Sequence, residues 1–327
     1  MIVITGSAGF IGSALVWGLN RRGFDDILIV DALGSDDRWR NLVSLRFRDV
    51  VHKDDFPEKL ERGDFGDNID GIIHMGACSD TTERNADFLL RNNYEYTKRI
   101  ALWCIARKKR FVYASSGATY GNGSKGFYDA HETLPSLKPL NMYGYSKQLV
   151  DMWVLRNGFW DKIAGLKYFN VFGPNEYHKG EMRSVVHKAF GQIASIGKVR
   201  LFKSYKPEYK DGWQMRDFLY VKDAVEMTLF VYEHGDVNGI FNIGTGKARS
   251  FYDLVMAVFL AMEKEPKIEY IEMPEQIREK YQYFTQAEMN KLRKFGYDAP
   301  ITTLEDGVSD YLKNYLLSDN NFLGSES

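Results

Sequence analysis

A tyrosine placed four residues before a lysine puts a phenol and an ammonium on one face of a helix. Such a pair can take a proton from an alcohol and hold the charge that results. The chain carries two, Tyr94/Lys98 and Tyr143/Lys147, and spacing alone does not choose between them. Context does. Phe111-Val112-Tyr113-Ala114 reads as a core strand running into Ser115-Ser116, and Tyr143 opens a helix shortly after Pro139 in the same half of the chain. Tyr94/Lys98 stands mid-helix with no serine-ended strand before it. The expected catalytic set is therefore Ser116 to orient a reacting hydroxyl, Tyr143 as acid and base, and Lys147 beside it. Lys147 is expected to draw the phenol down from its free pKa of about 10.

The elements that must position these groups begin at the first residues. Ile2-Val3-Ile4 is followed by Thr5-Gly6-Ser7-Ala8-Gly9-Phe10-Ile11-Gly12 and then Leu15, Val16 and Leu19 at helical spacing. This reads as strand, glycine-rich turn and helix. Gly6, Gly9 and Gly12 leave room for a tight turn and for a pyrophosphate at the helix N-terminus. Asp31 closes the next apolar run, Ile27–Val30, where a carboxylate can hold a ribose hydroxyl. Further strand-like runs (Gly71–Met75, Phe111–Ala114, Ile163–Phe169) alternate with helical ones at Ala86–Arg107 and after Tyr143. The fold expected is α/β: a Rossmann-type, doubly wound parallel sheet with ligands at its carboxyl edge. Asp217–Val221 and Phe241–Ile243 read as returns to that sheet. The division is residues 1–170 and 214–245 as the dinucleotide-binding domain, and 171–213 and 246–317 as a smaller, discontinuous α/β substrate lobe. The polar residues 318–327 read as a flexible tail.

Composition narrows the class. The 327 residues carry a net charge of −1, with 44% hydrophobic and 27% charged residues. That balance argues against a partner that is nucleic acid or a membrane surface. No apolar stretch approaches the ~20 residues that span a bilayer. Cys78 and Cys104 are too few for a disulfide framework, and a cytoplasmic location is expected. The six histidines show no metal-ligand spacing, so no metal is expected. Cys78 reads as a small residue in a cofactor loop, and Cys104 as core.

Over nearly its whole length the sequence resembles the extended short-chain dehydrogenase/reductases. More narrowly, Gly76–Thr82, His178-Lys179-Gly180 and Phe284–Gln286 are similar to the ADP-heptose 6-epimerases of that superfamily. The resemblance implies an isomerase that inverts C6 of an ADP-linked heptose for the lipopolysaccharide core. It does so by transient oxidation with a nicotinamide cofactor and re-reduction on the other face. It also implies a homo-oligomer, with a pentamer as one form. Lys179 is implied as a second acid/base group beside Tyr143; its alternative is binding nucleotide phosphate. Sugar-nucleotide 4,6-dehydratases carry an Asp-Glu pair where this chain has Gly117 and Ala118, which removes dehydration. A nucleotide-sugar 4-epimerase and a non-catalytic dinucleotide sensor remain as alternatives.

The resemblance extends the cofactor set to Phe10, Ile11, Arg38, Lys53, Met75, Gly76, Ala77, Cys78, Ser79, Asn92, Lys147, Val171 and Lys179. Asp31 suits NAD, whereas Arg38, followed by Arg40, suits the 2′-phosphate of NADP; NADP is favoured. For substrate it implies Ser116, Asn170, Glu181, Lys188, Phe202 with the adjoining Lys203, Ser204 and Tyr205, and Arg216 and Tyr281. Arg216 is the group expected at the pyrophosphate. Glu181 and Lys188 depart from the family pattern, which has serine and histidine there.

Overall fold

The opening apolar run forms β1 (Ile2–Thr5), with every residue buried. Val3 and Ile4 point into different hydrophobic clusters, one on each face of the sheet, as the two-residue period of a strand requires. The computed structural model describes residues 1–278, 281–319 and 321–325. The next strands are β2 (Ile27–Asp31), β3 (Asp49–His52), β4 (Gly71–His74), β5 (Arg110–Ser116) and β6 (Ala164–Tyr168). After them come β7 (Asn170–Phe172), β8 (Val199–Phe202), β9 (Met215–Tyr220), β10 (Gly239–Ile243), β11 (Ala248–Ser250) and β12 (Ile268–Ile271).

Seven strands make one sheet in the order β10-β6-β5-β4-β1-β2-β3, all of them parallel. The expected doubly wound α/β fold is what forms. The chain moves outward from β1 through β2 to β3, then crosses to β4 on the other side of β1. That reversal opens a crevice at the carboxyl ends of β1 and β4, where such sheets take ligands. Register levels those ends: Thr5 lies beside both Val30 and His74.

Crossover helices cover both faces. They include α1 (Phe10–Arg21), α2 (Phe56–Arg62), α3 (Ala86–Leu89), α4 (Tyr96–Ala106), α5 (Met142–Arg156), α6 (Val185–Ile196), α7 (Val221–Glu233) and α8 (Phe251–Ala261). A π-helical turn, Leu90–Glu95, joins α3 to α4, so the helix expected over 86–107 is one continuous piece.

Two expectations are corrected. β10 returns to the main sheet, but Asp217–Val221 does not. β9 pairs with β7 and β11 in a separate three-stranded sheet. Its buried Asp217 explains the detour, since the carboxylate accepts the amides of Thr245, Gly246 and Ala287 at 2.7, 2.9 and 3.0 Å. It staples the loop after β10 to the segment that carries Thr285. The second concerns the tail, of which Asn320, Glu326 and Ser327 lie outside the described residues. Within it Leu323 is fully buried, and its amide donates to Asn175 Oδ1 at 3.0 Å. Its two apolar residues, Phe322 and Leu323, dock it, Phe322 against Tyr177.

The remaining pieces gather beside the sheet edge, where β8 and β12 form a two-stranded parallel sheet and α6 and α8 pack together.

Candidate active site

The turn between β1 and α1 is built by backbone contact. Gly6 has φ +66°, and a Cβ on it would fall 2.6 Å from the Gly76 nitrogen; a Cβ on Gly12 would fall 2.0 Å from the Gly6 carbonyl. Only glycine permits both approaches. α1 starts at Gly9 with no capping side chain and no acidic residue in its first turn. Its N–H groups and dipole are thus left for an anion. Ala8 and Ala32 donate their amides to Asp31 at 2.8 and 2.7 Å. Burial raises the Asp31 pKa, and these amides, with the Arg38 charge, pull it back.

A cavity of about 660 Å³ opens over this turn. Every residue expected to hold the cofactor lines it, from Gly6 on β1 to Lys147, Val171 and Lys179. A glycine cradle, an uncapped helix start and a carboxylate at the end of β2 fit a dinucleotide. Arg38 lies at the rim, clasped to Asp36 through 2.9 and 2.7 Å hydrogen bonds, with Asp31 at 4.0 Å. Lys179 stands 5.3 Å from the centre of the Phe10 ring. Burial lowers its pKa, and the Glu176 carboxylate opposes the shift.

Ser116, Tyr143 and Lys147 come together at one cavity. Ser116 ends β5, and Asn141 caps α5 by accepting the Gly144 amide at 2.7 Å, which sets Tyr143 on the first turn. One turn on, Lys147 is buried and donates to the Ala114 carbonyl at 2.8 Å. A second cavity, of about 510 Å³, shares Ser116, Tyr143, Tyr168 and Phe169 with the first. The two therefore meet at the serine and the phenol. The electrostatics differ from expectation, because burial raises the Tyr143 pKa while hydrogen bonding with Ser116 lowers it. Lys147 itself is pushed down to about 8 by burial, against the pull of Asp151.

Beneath the trio lies a group that the sequence reading missed. Asp151, one helical turn past Lys147, is fully buried and pairs with the equally buried Lys167 at 2.6 Å. It also accepts the hydroxyls of Tyr113 and Ser115 at 2.7 and 2.8 Å. The signal was present: a lysine in the apolar run Ile163–Phe169 needs a buried partner.

Substrate-side expectations divide. Ser116, Asn170, Arg216 and Tyr281 line the second cavity. The Arg216 guanidinium lies between the rings of Phe251 and Tyr281 at 5.6 and 5.2 Å and donates to Met215 O at 2.8 Å. Burial lowers its pKa. Phe202 stands behind the wall, edge-on to Tyr281 at 6.3 Å. The others are not among the lining residues. Lys188 and Glu181 pair with each other at 3.3 Å, the Glu181 side chain 95% exposed. Lys203 is held by Glu272 at 2.7 Å, and the Tyr205 hydroxyl donates to the same carboxylate. The Ser204 amide is turned to Asp211 at 2.7 Å. Local carboxylates claim this segment. Thr81, Thr82, Asn141, Gln282 and Thr285 line the cavity without having been singled out as substrate contacts. Nothing in their local spacing marks them. Tyr94 and Lys98 face each other, the ammonium 4.7 Å from the ring centre, and line neither cavity.

Among the described residues no group of three or more His, Cys, Asp or Glu is placed to hold a metal ion, and no helix is long and apolar enough to cross a membrane.

Comparison with known proteins agrees with this geometry. The model of the NAD dependent epimerase/dehydratase family matches residues 2–244. A Nitratidesulfovibrio vulgaris (strain DP4) protein named ADP-L-glycero-D-manno-heptose-6-epimerase is 55% identical over 323 residues, covering 99% of this chain and 100% of its own length. A Fusobacterium nucleatum protein of the same name is 48% identical over 332 residues, with coverages of 99% and 100%. The crystal structure of the Helicobacter pylori ADP-L-glycero-D-manno-heptose-6-epimerase superposes with a TM-score of 0.77 at 27% identity, covering 96% of this chain and 95% of that one. The UDP-glucose 4-epimerase of Thermotoga maritima with UDP-glucose gives 0.78 at 25%, with coverages of 95% and 97%.

Proposed function

The chain belongs to the NAD dependent epimerase/dehydratase family, and from that premise we propose that it inverts C6 of the heptose in ADP-D-glycero-D-manno-heptose to give ADP-L-glycero-D-manno-heptose. Fold likeness does not separate 6- from 4-epimerases. The high identity to named 6-epimerases along the whole chain carries the choice. Gly117 and Ala118 lie in the second cavity and offer no carboxyl group for an elimination.

The larger cavity takes the cofactor and the smaller one the sugar, so that C6 comes to rest where Ser116 and Tyr143 belong to both. A bound nicotinamide dinucleotide supplies a hydride acceptor that becomes the donor for the return step. The protein moves the proton. Ser116 orients the C6 hydroxyl, and Tyr143 takes its proton as the carbonyl forms. The buried Lys147 ammonium stabilises the phenolate. Arg216 holds the pyrophosphate, its guanidinium already desolvated between two rings. The pieces outside the main sheet, 171–213 and 246–317, act as the substrate lobe.

Lys179 is assigned as the acid/base group for the opposite face, with its pKa lowered by burial. Its position against Phe10 requires it to swing toward the sugar for this step. Lys179→Met tests the assignment: a fall in kcat with cofactor affinity kept supports it, and weakened cofactor binding alone transfers Lys179 to the phosphates. NADP is the cofactor proposed, with Arg38 leaving Asp36 for the 2′-phosphate. The chain is proposed to work in the cytoplasm, as a homo-oligomer, in supply of the lipopolysaccharide core.

Proton NMR of the purified protein with ADP-D-glycero-D-manno-heptose, and with UDP-galactose in parallel, tests the reaction. Conversion of the heptose alone supports the proposal; conversion of UDP-galactose alone replaces it with a 4-epimerase. No conversion of either, with NADP or NAD added, leaves a dinucleotide sensor.

A further inference from the structure

Two of the cations that line the larger cavity stand on short 3₁₀ turns. Arg38 comes from the short helical turn Asp37–Leu42, and Lys179 from the turn Tyr177–Met182. Neither segment gains order from a ladder of sheet hydrogen bonds. Both are held from behind by one residue and one short stretch of chain.

The residue is Asn175. It is fully buried and has a left-handed backbone, φ +76°, a conformation asparagine tolerates better than other residues with side chains. Its side-chain nitrogen donates to Ser13 Oγ on α1 at 2.9 Å. Its backbone carbonyl accepts from Asn41 at 3.1 Å, and Asn41 also donates to the Ala8 carbonyl in the glycine-rich turn at 2.9 Å. Asn175 thus ties the Lys179 segment to α1, to the Arg38 segment and, through Asn41, to the phosphate cradle.

The stretch of chain is Asn321–Ser325. The Leu323 amide donates to Asn175 Oδ1, and the Tyr177 hydroxyl donates to the Asn321 carbonyl. Phe322 packs edge-on against Tyr177 at 5.2 Å. Leu323 itself enters the same apolar cluster as Leu42 and Leu45, just beyond Arg38. Asn41, Leu42, Leu45 and Tyr177, which make these contacts, do not line the cavity, whereas Arg38 and Lys179 do.

We propose that Asn175 and the segment 321–325 form a clamp that holds the Arg38 segment and the turn Tyr177–Met182 in register with the glycine-rich turn, and so set the affinity for a bound dinucleotide. The clamp residues are positioning residues, since none of them lines the cavity. The inference rests on the reading of that cavity as a dinucleotide site. It adds that the site is incomplete without residues far from any glycine motif.

The test uses the full-length protein, a chain ending at Ser318, and Asn175→Gly, which keeps the left-handed backbone while deleting both side-chain bonds. NADPH and NADH affinities are measured by fluorescence titration on protein stripped of nucleotide, with the sugar nucleotide KM and the melting temperature followed in parallel. The expected result is NADPH binding weaker by about tenfold in both variants, below the onset of melting, with the sugar nucleotide KM within twofold of the parent. Dissociation constants within twofold of the parent, or a loss that follows melting temperature and falls equally on cofactor and sugar, would overturn it. If the shortened chain does not fold, Asn175→Gly and Phe322→Ala decide by the same criteria. Failure of the full-length protein to bind either dinucleotide would instead strike the reading of the cavity.

Discussion

The two cavities share four residues and are built in opposite ways. The larger cavity, proposed for the dinucleotide, has a floor of main chain. Its glycines approach one another within distances that exclude a Cβ, its helix start is uncapped, and its carboxylate is fixed by backbone amides. The smaller cavity, proposed for the sugar nucleotide, is walled by side chains from segments far apart: Thr81, Asn141, Asn170, Arg216, Tyr281 and Thr285. A backbone floor fits any ligand with the same phosphates and ribose. A wall of side chains can change substrate residue by residue on the same sheet.

The largest effect is expected where the cavities meet. Tyr143→Phe should lower kcat by about a thousandfold, within the range for loss of a general acid/base, while the cofactor dissociation constant stays within a factor of two. A matching loss of cofactor affinity would show that the phenol belongs to the dinucleotide side. Next comes Arg216→Ala. With loss of a charge-assisted contact of about 2 kcal/mol, KM for the sugar nucleotide should rise about thirtyfold and cofactor titrations should not move. Arg38→Ala should weaken NADPH binding about tenfold and leave NADH binding unchanged; equal loss for both would remove the 2′-phosphate role.

The smallest effect concerns stability under the dinucleotide floor. His74, at the end of β4, is buried between Thr5 and Thr97, and burial with the Lys147 charge pushes its pKa down to about 3. Its folded value lies below the ordinary 6.5. The unfolded chain therefore binds more protons between those values, and stability falls as pH drops below about 6.5. The slope contributed is at most about 1.4 kcal/mol per pH unit. His74→Asn should flatten the decline of melting temperature between pH 6.5 and 5; an unchanged slope would place the acid sensitivity elsewhere.

How far the sequence could be read follows the same division. The glycine turn, Asp31 and the Tyr143/Lys147 pair are local patterns, legible because backbone geometry demands particular residues at fixed spacing. Asn170, Arg216 and Tyr281 came through the family resemblance and line the smaller cavity. Lys188, Lys203 and Tyr205 came by the same route and do not line it, because Glu181 and Glu272 pair with them. The Glu272 pairings join residues 69 and 67 positions apart and leave no trace in spacing. β9 was misplaced for a related reason: its strand character was legible, but the partners of Asp217 at 245, 246 and 287 were not. The tail 318–327 read as flexible because its composition is polar, and the docking of Leu323 depends on the distant Asn175, Leu42 and Leu45.

The central claim is that hydrogen leaves C6 and returns to it without passing through solvent, while Tyr143 handles only the hydroxyl proton. Turning over ADP-D-glycero-D-manno-heptose in D₂O, with proton NMR on the product, tests this most directly. The account predicts epimerised heptose that keeps its C6 hydrogen in full, with no deuterium there. Deuterium at C6 in step with conversion would mean that a proton, not a hydride, is moved at that carbon, and the roles given to both cavities would fall.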